Sequence, residues 1–491
     1  MAAREALGAT AFDLLVIGGG VIGAATAAHA ARAGLTVALV EKGDFGSGTS
    51  SASSKLVHGG LRYLRLGDVR LVREAHHERR TLAGSVAPHL VHRLPFLLPL
   101  YREGPFRPAF VQSGILLYST LARSRLNWLV QPARAAELVP PLRRDGLRSC
   151  ALYADAWTND ARLCLENVLA AAEAGATVVN RAEVVSLRLS GGRVAGAEVR
   201  LDGEVVDVAA RVTINAAGPW VDEIRRLEDP RAGTSVRRSK GAHVLVPDGR
   251  GWTAALTIPQ DDVRVTFAVP WYGLLLLGTT DTPYDGDPSA VSADEADVVQ
   301  ILGEAAKALP AELLDRCAVR ASFAGLRVLP LGDGETADAR RETVFSIGPG
   351  GMLSVAGGKL TTYRRIALDA LARVRGPLGL RRVDRRPFAL PGARGPAPAF
   401  DVELDPDVEA HLRHLYGSRA AAVARLAAPE PSLRERLHPD GPDIAAQAAF
   451  AIAEEWAETS DDVLRRRTTV ALRGLADASA VGRVEGVLAG L

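Results

Sequence analysis

The stretch FDLLVIGGGVIGAATAAHAARAGLTVALVE, residues 12–41, decides the fold. Residues 12–17 form a short apolar run of the kind found in a parallel strand buried on both faces. Gly18, Gly20 and Gly23 follow as GxGxxG. The alanine-rich stretch after them predicts a helix, Gly34 a C′ residue that stops it, and residues 36–40 a second strand with Glu41 at its end. The order of these parts carries the chemistry. Gly18 permits a tight turn, Gly20 lets the backbone approach a pyrophosphate, and Gly23 lets the helix pack against the strand. The pyrophosphate then meets free N–H groups at the positive end of a helix. Glu41 stands 23 positions after Gly18, where a carboxylate accepts from a ribose hydroxyl and disfavours a 2′-phosphate. This is a dinucleotide-binding βαβ unit, and the motif fits FAD and NAD alike.

The next segment, KGDFGSGTSSASSKLVHGGLRYL (42–64), is too polar and too glycine-rich to be the third strand of a nicotinamide domain. It leaves the second strand near the carboxyl ends of the sheet, where open α/β sheets bind ligands. Ser47, Thr49, Ser50, Ser53 and Ser54 offer short donors. Gly59 and Gly60 permit the backbone to approach a ring. Lys55 can offset the charge of a phosphate or a reduced ring, and His58 can exchange a proton near neutrality. A solvated serine-rich loop has the same composition, so the rest of the chain must decide.

The chain has 491 residues, enough for two or three domains. A net charge of +2 gives no reason to expect nucleic acid. The arginine-rich runs PLRRDGLR (141–148) and LRRVDRR (380–386) lack the interleaved aromatics that stack on bases. Only five basic residues are lysines, and three of them, Lys55, Lys240 and Lys359, fall inside motifs, which hints at a need for compact charge. Cys150, Cys164 and Cys317 have no disulfide or metal spacing, so a reducing compartment and no metal are expected. The apolar run 14–28 is interrupted by glycines and bounded by Asp13 and His29. It reads neither as a signal peptide nor as a membrane span, which leaves peripheral attachment open.

Nine stretches in order resemble the FAD-dependent respiratory glycerol-3-phosphate dehydrogenases: DLLVIGGGVIGAATA (13–27), TSSASSKLVHGGLRYL (49–64), YADAWTNDARL (153–163), NAAGPWVD (215–222), KGAHVLVP (240–247), LLGTTDTPYDGDP (276–288), FAGLRVLP (323–330), AGGKLTTYR (356–364) and EEWAETSDDVLRRRT (454–468). The serine-rich segment and GGKLTTYR are far more specific than GxGxxG. The resemblance implies an FAD domain of the glycine/D-amino-acid-oxidase type, a mixed-sheet substrate domain and a helical C-terminal domain, α/β and α+β together. It also implies oxidation of sn-glycerol 3-phosphate to dihydroxyacetone phosphate, with electrons passing from the reduced flavin to membrane quinone. The protein would then be cytoplasmic, held peripherally on the inner face of the cytoplasmic membrane.

The remaining residues fill in this frame. Asn159 or Asp160 caps a helix that runs to about residue 174. SGG at 190–192 and DG at 202–203 mark hairpins. Gly218, Gly358, Leu360 and Thr361 join Gly18, Gly20, Gly23, Glu41, Thr49, Ser50, Ser54, Gly59 and Gly60 as expected cofactor contacts. Arg327, Arg341 and Lys55 are expected at the substrate phosphate. His243 and His58 are rival bases for the substrate hydroxyl, and Lys359 stabilises charge at the flavin or substrate. The expected division is 1–90, 150–220 and 341–378 for the FAD domain, 91–149 for an insertion offered as a membrane-facing segment, 221–340 for the substrate domain, 379–400 for a linker and 401–491 for the helical domain. The last supports the core or a homodimer contact. The run 464–467 reads as a charged helix surface. Three alternatives stay open: an oxidase using oxygen on the same substrate, an FAD oxidoreductase of another hydroxy or amino acid, and a non-catalytic flavoprotein interaction module.

Overall fold

A computed structural model describes residues 2–490 apart from 66, 105, 124–127, 249, 250, 262, 263, 332–342 and 397. Strand Ala11–Ile17 lies at the middle of the first sheet. It pairs in parallel with Val37–Val40 on one side and with Glu204–Asn215 on the other. Thr177–Val179 and Leu353–Gly357 extend this parallel core outward. A strand flanked on both sides must present apolar residues to both faces, and Leu14 and Val16 turn one way while Leu15 and Ile17 turn the other.

On the first of these faces, helices Val21–Arg32, Asp160–Glu173 and Tyr363–Arg373 pack together through Ala24, Ala28, Val168, Ile366 and Ala370. Alanines let the helices approach each other closely. Asn159 caps Asp160–Glu173 by accepting from the Arg162 N–H at 3.0 Å. On the opposite face, the hairpin strands Ala182–Ser190 and Arg193–Leu201 cover Leu15 and Val40.

Among the described residues the second sheet has ten strands. Val236–Pro247 pairs antiparallel with Ala321–Pro330 and with Leu274–Gly278. The sheet continues through Val265–Trp271 and Ala255–Pro259 to His92–Tyr101 and Leu147–Trp157. The expected division differs here. The sequence division puts residues 92–101 in an insertion and residues 150–157 in the cofactor domain. Both instead belong to the second sheet, because they pair with each other along their lengths and His92–Tyr101 runs parallel to Ala255–Pro259. The short strand Leu56–Val57 joins the same sheet, so the serine-rich loop bridges the two sheets.

The C-terminal region is helical, with Pro406–Tyr416, Ala420–Leu426, Ala445–Glu454 and Ala478–Gly490 around their own core. The run at 464–467 is not a charged surface: it lies in a π-helical turn, Val463–Arg467, where Arg466 and Arg467 are buried.

Candidate active site

Where the two sheets meet, a cavity of about 570 Å3 runs from Val184 at one end to His243 and Arg327 at the other. The first end is made by backbone. Gly18 has φ +109°, and a Cβ there would lie 2.5 Å from the Ala216 carbonyl oxygen. A Cβ on Gly23 would strike the Gly18 carbonyl itself. Gly20 is the N-cap of helix Val21–Arg32 and has no side chain to block the N-terminal N–H groups. The Glu41 carboxylate accepts from the Gly19 N–H at 2.7 Å and the Gly43 N–H at 2.8 Å. Burial, opposed by these two N–H groups, pushes its pKa up. One lone pair on each oxygen remains for a ribose hydroxyl. This cradle, a helix N-terminus behind glycines whose replacement would fill it, fits the diphosphate and ribose of FAD.

The serine-rich loop lines the middle of the cavity. Ser50 Oγ accepts from the Val21 N–H at 2.9 Å, and the Thr49 hydroxyl donates to the Leu326 carbonyl at 2.7 Å. Gly218, Gly358, Lys359, Leu360 and Thr361 line the facing wall. Thr361 Oγ1 accepts from the His58 N–H at 3.0 Å and so couples this wall to the loop.

The other end is made by side chains on one face of the second sheet. Ser239 stands opposite Arg327, and His243 opposite Phe323, across the antiparallel pair. Each pair of positions is four residues apart on its strand, so all four point the same way. Arg327 donates from Nη2 to Thr279 Oγ1 at 2.8 Å and to the Thr280 carbonyl at 2.9 Å, with Asp281 Oδ1 at 3.5 Å. The His243 ring is buried and stacks on Phe323, with centroids 4.9 Å apart. Its Nε2 lies 2.9 Å from Ser54 Oγ, and its Nδ1 has no partner among the described residues. Burial first, then the charges of Arg327 and Lys55, hold its pKa well below the ordinary imidazole range. The imidazole is therefore held neutral. The Lys359 ammonium sits 3.3 Å over the ring of Tyr63.

A second cavity of about 490 Å3 adjoins the first and shares Ser54, Leu56, His58 and Arg327 with it. Its far wall is apolar, with Leu61, Leu64, Phe106, Val111, Ile115 and Phe267.

Three expected site residues stand elsewhere. The Lys55 side chain is 0% exposed, and its ammonium meets Asp160 Oδ1 at 2.5 Å and the Ser51 carbonyl at 3.1 Å. It locks the loop to helix Asp160–Glu173 from behind, so substrate does not reach it. Gly59 turns toward the ring of His76 and gives its N–H to Asp155 at 2.9 Å, away from the cofactor cavity. Gly60 lines the second cavity instead of the first. Arg341 lies outside the described residues. Asp155 and Asp160 serve as buried acceptors for Arg79, Tyr118 and Lys55. Sequence reasoning missed Tyr63, Phe267 and Phe323 in the site. The first lies inside the quoted serine-rich motif, where an aromatic residue three positions after Gly-Gly is a usable signal.

Comparison with known proteins agrees with this geometry. Residues 13–364 match the family described as FAD dependent oxidoreductase, and residues 386–489 match the C-terminal domain of alpha-glycerophosphate oxidase. A Synechocystis protein named glycerol-3-phosphate dehydrogenase is 36% identical over 94% of this chain and 89% of its own length. Glycerol-3-phosphate dehydrogenase 2 of Mycobacterium tuberculosis is 38% identical over 96% of this chain and 83% of its own. Among solved structures, the glycerol-3-phosphate dehydrogenase of Bacillus halodurans complexed with FAD superposes with a TM-score of 0.78 at 27% identity, over 99% of this chain and 91% of that one. Near-complete mutual coverage at this identity shows common descent of the whole chain, cofactor domain and helical domain alike: it belongs to the FAD-dependent glycerol-3-phosphate dehydrogenase family.

Proposed function

We propose that the protein oxidises sn-glycerol 3-phosphate at C2 to dihydroxyacetone phosphate. The observation that carries this reading is the end of the cofactor cavity where Arg327, which also lines the second cavity, stands near the neutral imidazole of His243. FAD, when bound, supplies the acceptor for the C2 hydride. Arg327 holds the phosphate by charge-assisted hydrogen bonds, and Thr279 and Thr280 keep its fork in register. Anchoring the phosphate orients C2. His243 takes the hydroxyl proton as the C2 hydrogen leaves with both bonding electrons, so a hydride and a proton depart on separate paths. Ser54 and Phe323 fix the plane of its ring. The place of His243 on the strand face that carries Arg327 favours it over His58 as the base. Lys359 offsets the negative charge that develops on the substrate oxygen. The test is anaerobic mixing of FAD-loaded protein with sn-glycerol 3-phosphate while the flavin absorbance is followed. Bleaching by this substrate, and not by its enantiomer or glycerol, is the expected result; an unbleached flavin overturns the reading.

The acceptor we propose is a membrane quinone, reached from the inner face of the cytoplasmic membrane. Helix Pro108–Ala122 supports this. It buries Val111, Ile115 and Tyr118 and turns Leu116, Leu117 and a 63% exposed Phe110 outward, between the exposed Arg107 and Arg123. Apolar side chains flanked by arginines suit a lipid interface. No helix among the described residues is long and apolar enough to cross a membrane. Vesicle co-sedimentation that falls on Phe110→Ser with Leu117→Ser, together with quinone reduction and little peroxide, is expected. Stoichiometric peroxide would favour oxygen as acceptor.

A further inference from the structure

The last segment of the chain reaches back to the dinucleotide loop. Asp44, three residues beyond Glu41, is 1% exposed. Its carboxylate accepts from Arg467 Nη2 at 2.7 Å, and also from Arg467 Nη1 and Arg466 Nε. Arg467 donates a further bond to the Glu455 carbonyl at 2.6 Å, and Arg466 one to Asp462 at 2.7 Å. A second strap runs beside the first. Arg181 donates to both oxygens of Asp462 at 2.8 and 2.7 Å, while its own backbone N–H bonds to the Gly43 carbonyl at 3.0 Å. Asn180 donates to the Trp456 carbonyl at 2.8 Å, and the Trp456 ring meets Phe45 edge-on at 5.5 Å. Asp44 and Phe45 are thus gripped from the C-terminal domain through charge and ring contacts, and Gly43 by Arg181, which Asp462 holds in turn.

On its other side the same loop holds the GxGxxG turn. The Gly46 N–H donates to the Gly19 carbonyl at 3.1 Å. Glu41 ties Gly19 to Gly43 through its two oxygens. The Phe45 ring lies against Gly19 so closely that a Cβ there would strike it. Among the described residues, none beyond Thr361 lines the cofactor cavity. The C-terminal domain therefore acts on FAD at one remove, and this loop is its link to the GxGxxG turn.

We propose that Arg466 and Arg467 are positioning residues for FAD: their grip on Asp44 sets how tightly the adenosine end of the cofactor is retained. Three charge-assisted bonds converge on one buried carboxylate. Removing one partner leaves a buried charge, and the cheapest escape is for the loop to swing Asp44 into water. That movement carries Glu41 and Phe45 away from Gly19 and opens the end of the cavity that holds ribose and pyrophosphate. The inference concerns cofactor retention and holds whatever the substrate.

The test measures release of FAD from the full-length holoenzyme after dilution, by the rise in free-flavin fluorescence. Arg467→Met should release FAD at least about tenfold faster. Arg181→Gln, which loosens the second strap from a position 32% exposed, should release it roughly threefold faster. Arg436→Met, which breaks ion pairs to Asp405 and Asp407 inside the C-terminal domain, should match the parent. With FAD in excess, KM for sn-glycerol 3-phosphate should be unchanged in all three. Release at the parental rate from Arg467→Met, even with a lowered melting temperature, overturns the proposal. If that variant does not fold, parental release from Arg181→Gln overturns it alone.

Discussion

The two ends of the cofactor cavity are built in opposite ways. At the adenosine end, the cradle comes mainly from one run, residues 17–50, joined by Val184 and Ala216, and the groups that meet the cofactor are mostly backbone. At the other end, His58, His243, Arg327 and Lys359 come from four separated segments, and they are the residues proposed to do the chemistry. The first end depends on what is missing, namely Cβ atoms. The second depends on strand register, because Ser239 against Arg327 and His243 against Phe323 align only while the antiparallel pair keeps its pairing. One end should therefore fail all at once when a small group is added, and the other by degrees as groups are removed.

The sharpest test of that contrast is Gly23→Val. Its Cβ would meet a backbone oxygen that has nowhere to go, so a cost above about 4 kcal/mol is expected. The purified protein should carry no flavin absorbance; a normally flavinated variant would break the comparison. Lys55→Met comes next. It strands the Asp160 carboxylate in the interior, at a cost of about 3–5 kcal/mol. Denaturant unfolding should show the loss, while KM for glycerol phosphate in the surviving folded enzyme stays near the parent. A large KM change would return Lys55 to the substrate site. Arg327→Met should lower kcat/KM by roughly two to three orders of magnitude with full flavin content, the converse of Gly23→Val.

The smallest effect per group comes from acid, and it should spare both ends at first. His89 and His414 lie between the second sheet and the C-terminal helices, and His414 and His92 have ring centroids 4.1 Å apart. Burial, with neighbouring Arg162 and the other histidines, lowers both His89 and His414 from 6.5 to about 3. The fold holds their neutral forms. Their contribution is thus complete above 6.5 and is lost as pH falls toward 3, by on the order of 2 kcal/mol each at pH 5. Urea midpoints should fall from pH 7 to 5, and His414→Phe should flatten that slope. A slope unchanged in His414→Phe would refute the assignment.

The contrast also explains what was legible in the sequence. The strand, glycines, helix and second strand of residues 12–41 are a local pattern, and the structure repeats it nearly residue for residue. Asn159 as a cap and the hairpins at 190–192 and 202–203 were equally local. His92–Tyr101 was misassigned because its sheet partners, Leu147–Trp157 and Ala255–Pro259, are distant in sequence and no local signal names them. Lys55 has φ +57°, which turns its side chain out of the alternation that neighbouring residues suggest. Gly59 looked like a flavin contact and proved to make room for His76. Arg466 and Arg467 read as surface because helical periodicity cannot foresee Asp44, more than 400 residues away, as their partner.

The central strand of the first sheet has one further consequence, in the time domain. Leu14 pairs with Val212, so on the ribosome the strand Ala11–Ile17 waits for its second neighbour while roughly 200 residues are added, about 10–40 s at ordinary elongation rates. The outer parallel strand Leu353–Gly357 arrives later still. Through that interval Leu14 and Val16 belong to an open, apolar sheet edge, the kind of surface that recruits other nascent chains. Slower elongation through residues 41–204 should therefore lower soluble yield without altering a single contact of the finished enzyme.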